Sequence, residues 1–497
     1  MIRGALTGMA LLTLALALAS PLRGMSEAPP APADTLPPWL AAVARGPLAR
    51  AHWGVAVYDL AANRWVARHN ADRYFVPASN LKLIVSAVAL ERLGAAFSWR
   101  TSVYGTRPVG PDGVLDGDLV LYGRGDPNLS ARHAPTRLAI FEALADTLAA
   151  GGLTRVTGAL LADESHWDAD YTRGDWAAYD LLWWYAAPVG ALGFNDNSVD
   201  IAVRPGARVG DPPVLAAEPA SGFFTIDNRA TTGPPGARRT FDFSRAPGTN
   251  AIVASGVLPL DASPGEENVA VVNPAGWAAT VFREVLAQRG ITVSGAVRTV
   301  SDAAESAVAA GDTVALAAHV SPTVARVVEA INGRSQNWHA EQVVKTLGRE
   351  FGGEGSWRAG LAVERATLAE LGVDTTAFVL RDASGLSSAN LVTPEALVDL
   401  LRRVRERPVG AAFEASLPLA GESGSLRRRF ANTVGAGRVR AKTGFIEHVY
   451  ALSGYLTTLD GRPYAFSVIV NQTGPGGSDA TAAIDALVNA LISGAAP

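Results

Sequence analysis

The chain has 497 residues, of which 48% are hydrophobic and 18% charged, so it is long enough for roughly three domains and can bury large cores. Its net charge of −4 gives no reason to expect nucleic acid as a partner. It has no cysteine, which excludes disulfides, thiolate metal sites and a lipidated N-terminal cysteine.

The first residues have the pattern of an export signal. Arg3 precedes an apolar run over residues 5–18 that ends in small residues, so we expect residues 1–19 to be a signal peptide. The run is short for a membrane span, which needs about 20 residues, and an uncleaved anchor is the alternative. Residues 20–38 are expected to form a Pro/Ala linker. The folded part would therefore work in the periplasm or another extracytoplasmic space, with no stable membrane anchor after cleavage.

A strand pair and a helix are the first predicted elements of the folded part. Residues 53–59 alternate as a strand does, and residues 64–68 are its candidate partner. Apolar residues at helical spacing follow Ser79, and Gly94 is a candidate C-cap of that helix. Ser79 would then lie at a helix N-terminus, with Lys82 on the same face three residues later.

The middle of the chain has a different texture, with short strands and Gly/Pro/Asp turns between about residues 105 and 310. Helices are predicted at 136–150 and 277–289, and a strand at 292–300. Residues 203–268 are especially rich in Pro, Gly and Thr, which indicates a smaller β-rich unit nested within this region.

The helical pattern returns from Ser321 onward. Thr393 and Pro394 have the N-cap and first-position pattern of a further helix. Three antiparallel strands and a final helix are predicted near the end, at 438–442, 449–457, 464–471 and 480–492.

We therefore expect an α+β multidomain fold, in which a domain with an antiparallel sheet flanked by helices is interrupted by a large β-rich insertion of one or two domains. The insertion is larger than an ordinary connecting loop. The predicted boundaries are 39–104 and 312–497 for the interrupted domain, 105–202 and 269–311 for the inserted domain, and 203–268 for the nested unit.

Lysine is rare in this chain. Of 43 basic residues only Lys82, Lys345 and Lys442 are lysines. A guanidinium stays protonated in proteins, whereas a buried ammonium can lose its proton and act as a base. Because a lysine three residues after a serine can activate that serine without histidine, Ser79 and Lys82 are predicted to be a nucleophile and its base.

An activated serine needs further groups around the substrate, namely a hydrogen-bonding group on the opposite wall and donors for the oxyanion. Ser335 and Asn337, in a predicted loop between two helices, offer a hydroxyl and an amide. Lys442 and Thr443, on a predicted strand, can receive a substrate carboxylate, and Gly444 lets the substrate backbone approach closely.

These residues form an ordered set, Ser-x-x-Lys, Ser-x-Asn and Lys-Thr-Gly, which is that of the penicillin-recognising serine enzymes. From about residue 40 to its end the chain resembles the class C low-molecular-mass penicillin-binding proteins. These are D-Ala-D-Ala carboxypeptidases and endopeptidases with a large insertion between the first two motifs, which fits the long separation of Ser79 and Ser335. Further segments carry the resemblance, at 121–129, 382–387, 390–394 and 419–426.

The resemblance implies a penicillin-binding, β-lactamase-like fold and an exported serine-type D-Ala-D-Ala carboxypeptidase, with DD-endopeptidase activity left open. It would act on peptidoglycan stem peptides through an acyl intermediate on Ser79 and would be inhibited by β-lactam antibiotics. No cofactor and no metal are expected. Burial and the Lys442 charge would lower the pKa of Lys82, Ser335 would relay a proton to the leaving D-alanine, and Asn337 would bind the substrate amide.

The resemblance also implies the substrate-binding groups. Lys442 and Thr443 would hold the terminal carboxylate, and the backbone N–H groups of Ser79 and Phe445 would form the oxyanion hole. In this family an aspartate of the inserted domain can face a free amino group of the substrate, and Asp180 is the candidate here.

Two sequence features depart from the commonest family pattern. Gln336 stands where aspartate is frequent, and Phe445 after the Lys-Thr-Gly can alter the mouth of the cleft. Lys345 is predicted to form a structural pair, and His339 and His448 are predicted to be packing or hydrogen-bonding residues.

Two other functions stay open at this point. A β-lactamase-like hydrolase would use the same three motifs, but the sequence identifies no fast deacylating base. A non-catalytic exported cell-wall-binding protein could share the fold. Lys82 and Lys442 argue against the binding protein, because a binder has no need of an amine that can be deprotonated.

Overall fold

The computed structural model describes residues 36–495. The predicted signal peptide at 1–19 and most of the linker predicted at 20–38 lie outside the described residues. Both ends of the described chain contribute to one five-stranded antiparallel sheet, which we call the terminal sheet. Its strands, in spatial order, are Arg64–His69, His52–Asp59, Pro463–Asn471, Val449–Thr457 and Val439–Ile446.

Helices cover both faces of the terminal sheet, as its nearly continuous burial requires. Helix Gly477–Ile492 packs Ile484 and Leu487 against Val55 and Phe466 on one face. A helical cluster with its own apolar core covers the other face. The N-cap predicted at Thr393 is confirmed in this cluster by a 3.2 Å hydrogen bond from the Ala396 N–H to the Thr393 Oγ1. Its helices are Lys82–Arg92, Val324–Arg334, Asn337–Gly352, Trp357–Glu370, Pro394–Arg405 and Gly410–Ser416.

A second five-stranded sheet belongs to the inserted region. Helices Ala139–Ala150 and Pro274–Gln288 pack with it around an apolar core. Its strands, in spatial order, are Val297–Val300, Leu160–Asp163, Leu119–Tyr122, Ser98–Gly105 and Val314–Thr323. A small sheet beside it contains Thr292–Val293, Arg155–Val156 and Val114–Leu115, and the remaining short elements are helices Pro38–Ala41 and Ala307–Ala310 and strands Phe378–Val379 and Leu391–Val392.

The single strand predicted at 292–300 is wrong, because the structure has two short strands there that belong to different sheets. Gly295 lies between them and crosses Gly158 so closely that a Cβ on Gly295 would lie 2.5 Å from the Gly158 carbonyl oxygen. This close crossing of two backbones separates the strands.

The Pro/Gly-rich region forms small sheets around a core that includes Val199, Phe243, Ile252 and Val269. Its strands are Ser198–Arg204, Val214–Glu218, Thr225–Asn228, Thr231–Gly233, Asp242–Arg245, Ala251–Ser255, Val257–Pro259 and Gly265–Ala270.

The strand pairing bears on where the insertion begins and ends. Strands Ser98–Gly105 and Val314–Thr323 pair with one another in the inserted sheet and not with the terminal sheet. We therefore propose that the insertion extends from about residue 98 to about 323, wider than the 105–311 drawn from the sequence, and that the nested unit extends from 198 to 270. The α+β multidomain class is confirmed.

Candidate active site

Ser79 and Lys82 meet at the start of a helix in the terminal unit, by which we mean the terminal sheet and its helices. Ser79 lies in the 3₁₀ turn Ala78–Leu81, which leads directly into helix Lys82–Arg92. The Lys82 Nζ lies 2.8 Å from the Ser79 Oγ and donates a hydrogen bond to it. Ala78 has a left-handed φ of +46°, which costs about 1 kcal/mol and is typical of functional turns.

The buried ammonium of Lys82 is fully hydrogen-bonded. Besides Ser79, it donates to the Asn337 Oδ1 at 2.6 Å and to the Ser384 carbonyl at 2.6 Å. These three acceptors use all three protons of an ammonium group. Burial lowers the pKa of Lys82 to about 7, although the carboxylates of Asp382 and Glu341 act in the opposite direction. A lysine with this pKa changes its charge near neutral pH, as a general base must.

Two buried carboxylates hold the loop behind Lys82, which we call the 382–385 loop. The Ser384 N–H donates to the Glu341 Oε1 at 2.7 Å, and the Trp357 indole donates to the Glu341 Oε2 at 2.7 Å. Asp382 accepts from the Gly385 N–H at 2.8 Å. The sequence analysis missed Glu341, although its place four residues after Asn337 put both on one helix face.

Gly385 is required by this packing. It has a φ of +77°, and a Cβ on it would lie 1.9 Å from the Ala78 carbonyl oxygen. The 382–385 loop therefore packs directly against the turn that carries Ser79, which fixes the Ser384 carbonyl relative to Ser79.

The second motif lies opposite Ser79, at a sharp turn between two helices. Ser335 follows helix Val324–Arg334 with a φ of +60°, and Asn337 begins the next helix. The Asn337 side chain bridges two regions, because its Oδ1 accepts from Lys82 and its Nδ2 donates to the Tyr185 carbonyl at 2.7 Å. Tyr185 belongs to the inserted region, so this amide connects the insertion to Lys82.

The third motif lies on the edge strand Val439–Ile446 of the terminal sheet. The Lys442 Nζ donates to the Ser335 Oγ at 2.8 Å and to the Thr443 carbonyl at 2.7 Å. The Thr443 hydroxyl donates to the Ser425 Oγ at 2.9 Å, so Ser425 is a further polar group of this wall that the sequence analysis missed. A Cβ on Gly444 would lie 2.8 Å from the Pro77 carbonyl oxygen.

The pKa of Lys442 lies well below its ordinary value, first because the side chain is buried and second because the Lys82 charge is close. The Lys442 charge, which was expected to lower the pKa of Lys82, is not among the causes of that shift. Burial lowers the pKa of Lys82 instead.

Two predicted substrate-binding residues lie outside this hydrogen-bonded group. Phe445 is 63% exposed and its ring centroid lies 5.1 Å from that of Tyr450. Asp180 is half-buried and accepts a hydrogen bond from the Tyr185 hydroxyl at 3.0 Å. Asp180 is thus connected to the second motif through Tyr185, whose carbonyl binds Asn337.

The three remaining candidates, Lys345, His339 and His448, make structural contacts. Lys345 forms an ion pair with Asp168, with the Nζ 2.6 Å from the Oδ1, so the predicted structural pair is confirmed. His339 is fully buried against Trp338 and is a packing residue as predicted. His448 has a φ of +61° and lies in the turn between strands Val439–Ile446 and Val449–Thr457.

Two serines, each hydrogen-bonded to its own buried lysine, together with the Asn337 amide, define a penicillin-recognising serine enzyme. Residues 40–491 match the D-Ala-D-Ala carboxypeptidase 3 (S13) family. The chain therefore belongs to this family of serine peptidases, and the predicted family and enzyme class, a serine-type D-Ala-D-Ala carboxypeptidase, are confirmed.

The chain is similar to curated members over most of its length. It is 38% identical over 434 residues to a D-alanyl-D-alanine carboxypeptidase of Actinomadura sp. strain R39, covering 85% of this chain and 78% of the relative. It is 23% identical over 427 residues to the D-alanyl-D-alanine carboxypeptidase DacB of Haemophilus influenzae, covering 84% and 85%. The crystal structure of penicillin binding protein 4 (dacB) from Haemophilus influenzae shares the fold, with a TM-score of 0.78 at 21% identity and coverage of 89% and 97%.

Proposed function

We propose that this protein removes the terminal D-alanine from peptidoglycan stem peptides through an acyl-enzyme on Ser79. The observation that carries the proposal is the 2.8 Å contact between the Ser79 Oγ and a buried lysine whose pKa lies near 7, in a chain of this family. No histidine contacts Ser79 among the hydrogen bonds of the described residues, so Lys82 is its only basic partner there.

Acylation begins when Lys82 is neutral. The Ser79 hydroxyl then donates to the lone pair of the Lys82 Nζ, while the two remaining N–H groups stay bonded to Asn337 and Ser384. The Ser79 Oγ attacks the carbonyl carbon of the penultimate D-alanine, and its proton passes to Lys82. The backbone N–H groups of Ser79 and Phe445 receive the negative charge that develops on the carbonyl oxygen.

The second and third motifs complete the cycle. Ser335, whose hydroxyl is hydrogen-bonded to Lys442, relays to the leaving amine the proton that Lys82 took from Ser79, so Lys82 is neutral again before deacylation. The peptide bond breaks, D-alanine departs, and water hydrolyses the ester on Ser79 to regenerate the enzyme. Asn337 holds the substrate amide beside Lys82.

Substrate binding depends on charge. A carboxylate that arrives beside Lys442 favours the ammonium form and raises its pKa, which opposes the effect of burial. The hydroxyls of Thr443 and Ser425 add hydrogen bonds. Asp180 would bind a free amino group of the stem, which is checked by comparing D-alanine release from stems with and without that group.

The same geometry suits β-lactam antibiotics, which carry an amide and a carboxylate and would acylate Ser79. Peptidoglycan lies outside the cytoplasm, which agrees with the export signal expected in the first residues. In the described residues, no helix combines the length and apolar character needed to cross a membrane.

Intact-mass analysis after mixing the protein with benzylpenicillin tests this proposal, with peptide mapping of the adduct and a time course. We expect a persistent adduct on Ser79 and release of D-alanine from a pentapeptide stem. An adduct that disappears within seconds favours the β-lactamase alternative. Absence of any adduct on folded protein contradicts the proposal and favours the cell-wall-binding alternative.

A further inference from the structure

One segment of the inserted region, residues 173–185, packs on the terminal unit beside the active site. We call it the docking segment. At one end the Tyr185 carbonyl binds the second motif, as described above. Close to the other end the Asp175 carboxylate accepts a hydrogen bond from the Ser387 hydroxyl at 2.5 Å, directly after the 382–385 loop. The docking segment therefore reaches both the second motif and the loop behind Lys82.

The Asp382 carboxylate in that loop is fully buried and has four hydrogen-bond donors. Its Oδ1 accepts from the Gly385 N–H and the Asn390 Nδ2, each at 2.8 Å. Its Oδ2 accepts from the Ser387 N–H at 2.7 Å and from the Trp176 indole N–H at 2.9 Å. The first three donors follow Asp382 closely in the chain. Among the hydrogen bonds of the described residues, Trp176 is the only donor to this carboxylate from the inserted region.

The other carboxylate behind Lys82 also has an indole donor, because Glu341 accepts from Trp357. The Trp176 and Trp357 rings pack edge to face, with their centroids 6.1 Å apart, and both are buried. Each of the two carboxylates that act on Lys82 is thus bonded to one of two packed indoles. An N–H donor stabilises the negative charge of a carboxylate, and a buried carboxylate that loses a donor is protonated more easily.

The charged groups around Lys82 come from several elements. Asp382 in the loop and Glu341 on the helix of the second motif both raise its pKa. Glu364, on the next helix, interacts with both carboxylates, and Lys442 lies close to Lys82 on the edge strand. Within the part of the chain that the structure describes, Asp382 is the one ionisable group of this set with a hydrogen bond to a side chain of the inserted region.

We propose that Trp176 is a positioning residue, through which the inserted region stabilises the charge of Asp382 and so sets the pH range in which Lys82 accepts the Ser79 proton. This inference rests on the proposed function, since it needs Lys82 to act as the base. Without the indole N–H, the carboxylate is protonated more easily and less negative charge acts on Lys82. The ammonium form of Lys82 is then less favoured, and Lys82 loses its proton at lower pH.

Two substitutions separate the hydrogen bond of Trp176 from its packing. Trp176→Phe keeps an aromatic ring and removes the donor. Trp176→Gln removes the ring but keeps an N–H donor at the same number of bonds from the Cα. Trp167→Phe is the matched control, because Trp167 is also a buried tryptophan of the inserted region, and its indole N–H has no hydrogen-bond partner in the described residues.

The rate of acylation by benzylpenicillin is measured from pH 5 to 9 by intact mass, with thermal unfolding of the same preparations. Trp176→Phe should move the midpoint of the pH profile to lower pH by roughly 0.5–1 unit, since a buried carboxylate loses a donor. Trp176→Gln should unfold at lower temperature but keep the wild-type midpoint. Trp167→Phe should also keep it. Adding Trp176→Phe to Asp382→Asn should cause no further shift, because Trp176 acts through that carboxylate.

Three outcomes would overturn the inference. One is an unchanged midpoint in folded Trp176→Phe. Another is an equal shift in Trp176→Gln or Trp167→Phe, which would assign the effect to packing, and the Trp176→Gln profile decides this even where Trp176→Phe does not fold. The third is a further shift on adding Trp176→Phe to Asp382→Asn, which would show that Trp176 acts by another route. Wild-type protein that is not acylated at any pH would instead refute the proposed function itself.

Discussion

Lys82 and Lys442 occupy matching positions on the two sides of the active site. Each is completely buried, and each donates to a serine hydroxyl at 2.8 Å. Burial lowers the pKa of both, to about 7 for Lys82 and well below its ordinary value for Lys442, but the charges that surround the two lysines differ. The carboxylates of Glu341 and Asp382 partly offset the burial of Lys82, and in the described residues Lys442 forms no ion pair.

We propose that these surroundings suit two separate tasks. Lys82, with a pKa of about 7, would take the Ser79 proton and return it. Lys442 would bind a substrate carboxylate, whose charge favours the ammonium form. The same side chain in the same kind of hydrogen bond would thus serve as a base on one side and as an anion receptor on the other.

The variant Lys82→Arg is the strongest test of this comparison. Arginine keeps the positive charge and the donors but cannot be deprotonated, so the rate of acylation by benzylpenicillin should fall about 10²- to 10⁴-fold. The rate is measured from the growth of the adduct by intact mass. Lys442→Arg is the matched control and should lose much less, because an anion receptor needs only a cation. Equal losses in the two variants would contradict the division of tasks.

The sequence could predict the elements whose burial is regular and the motifs whose chemistry is local. The strand predicted at 449–457 has the same bounds in the structure, because alternation with apolar neighbours is a local signal. Ser79 and Lys82 are three residues apart, so their contact follows from helix geometry alone.

The surroundings of Lys82 could not be predicted in the same way. Glu341 binds the N–H of Ser384, which lies 43 positions later in the chain, and this contact depends on how the 382–385 loop folds back. The charges that act on Lys82 are those of Asp382 and Glu341, which are distant from it in the chain, and no spacing indicates them. Long-range packing therefore explains why the sequence analysis assigned part of the Lys82 shift to the Lys442 charge.

The variant Glu341→Gln should have an intermediate effect and sharpen the role of the charges behind Lys82. The Glu341 carboxylate raises the pKa of Lys82, so its removal lowers that pKa, and acylation should reach its plateau at lower pH than in the wild type. The plateau itself should fall roughly tenfold, because the amide cannot accept from all the donors that the carboxylate binds. Acylation rates measured from pH 5 to 9 check both expectations.

Glu364→Gln is the control for this pH profile. Burial and the neighbouring charges of Glu341 and Asp382 raise the pKa of Glu364 well above its usual range. In the described residues Glu364 makes no hydrogen bond to Lys82 or to the 382–385 loop, and it is not among the groups that shift the pKa of Lys82, so replacing it with glutamine should leave the profile in place. A fall in rate without a pH shift in Glu341→Gln would show that Glu341 only supports the loop.

The smallest effect on acylation is expected for the third lysine. Lys345 is buried like the other two, but it binds the Asp168 carboxylate and backbone carbonyls of the inserted region. Lys345→Met should leave the acylation rate unchanged and lower the free energy of unfolding by about 1–3 kcal/mol, since the carbonyls of Asp170 and Val189 lose their donor. Thermal unfolding and benzylpenicillin acylation of the same preparation measure the two quantities. Slower acylation at unchanged stability would contradict the structural role of Lys345 and show that it contributes to acylation.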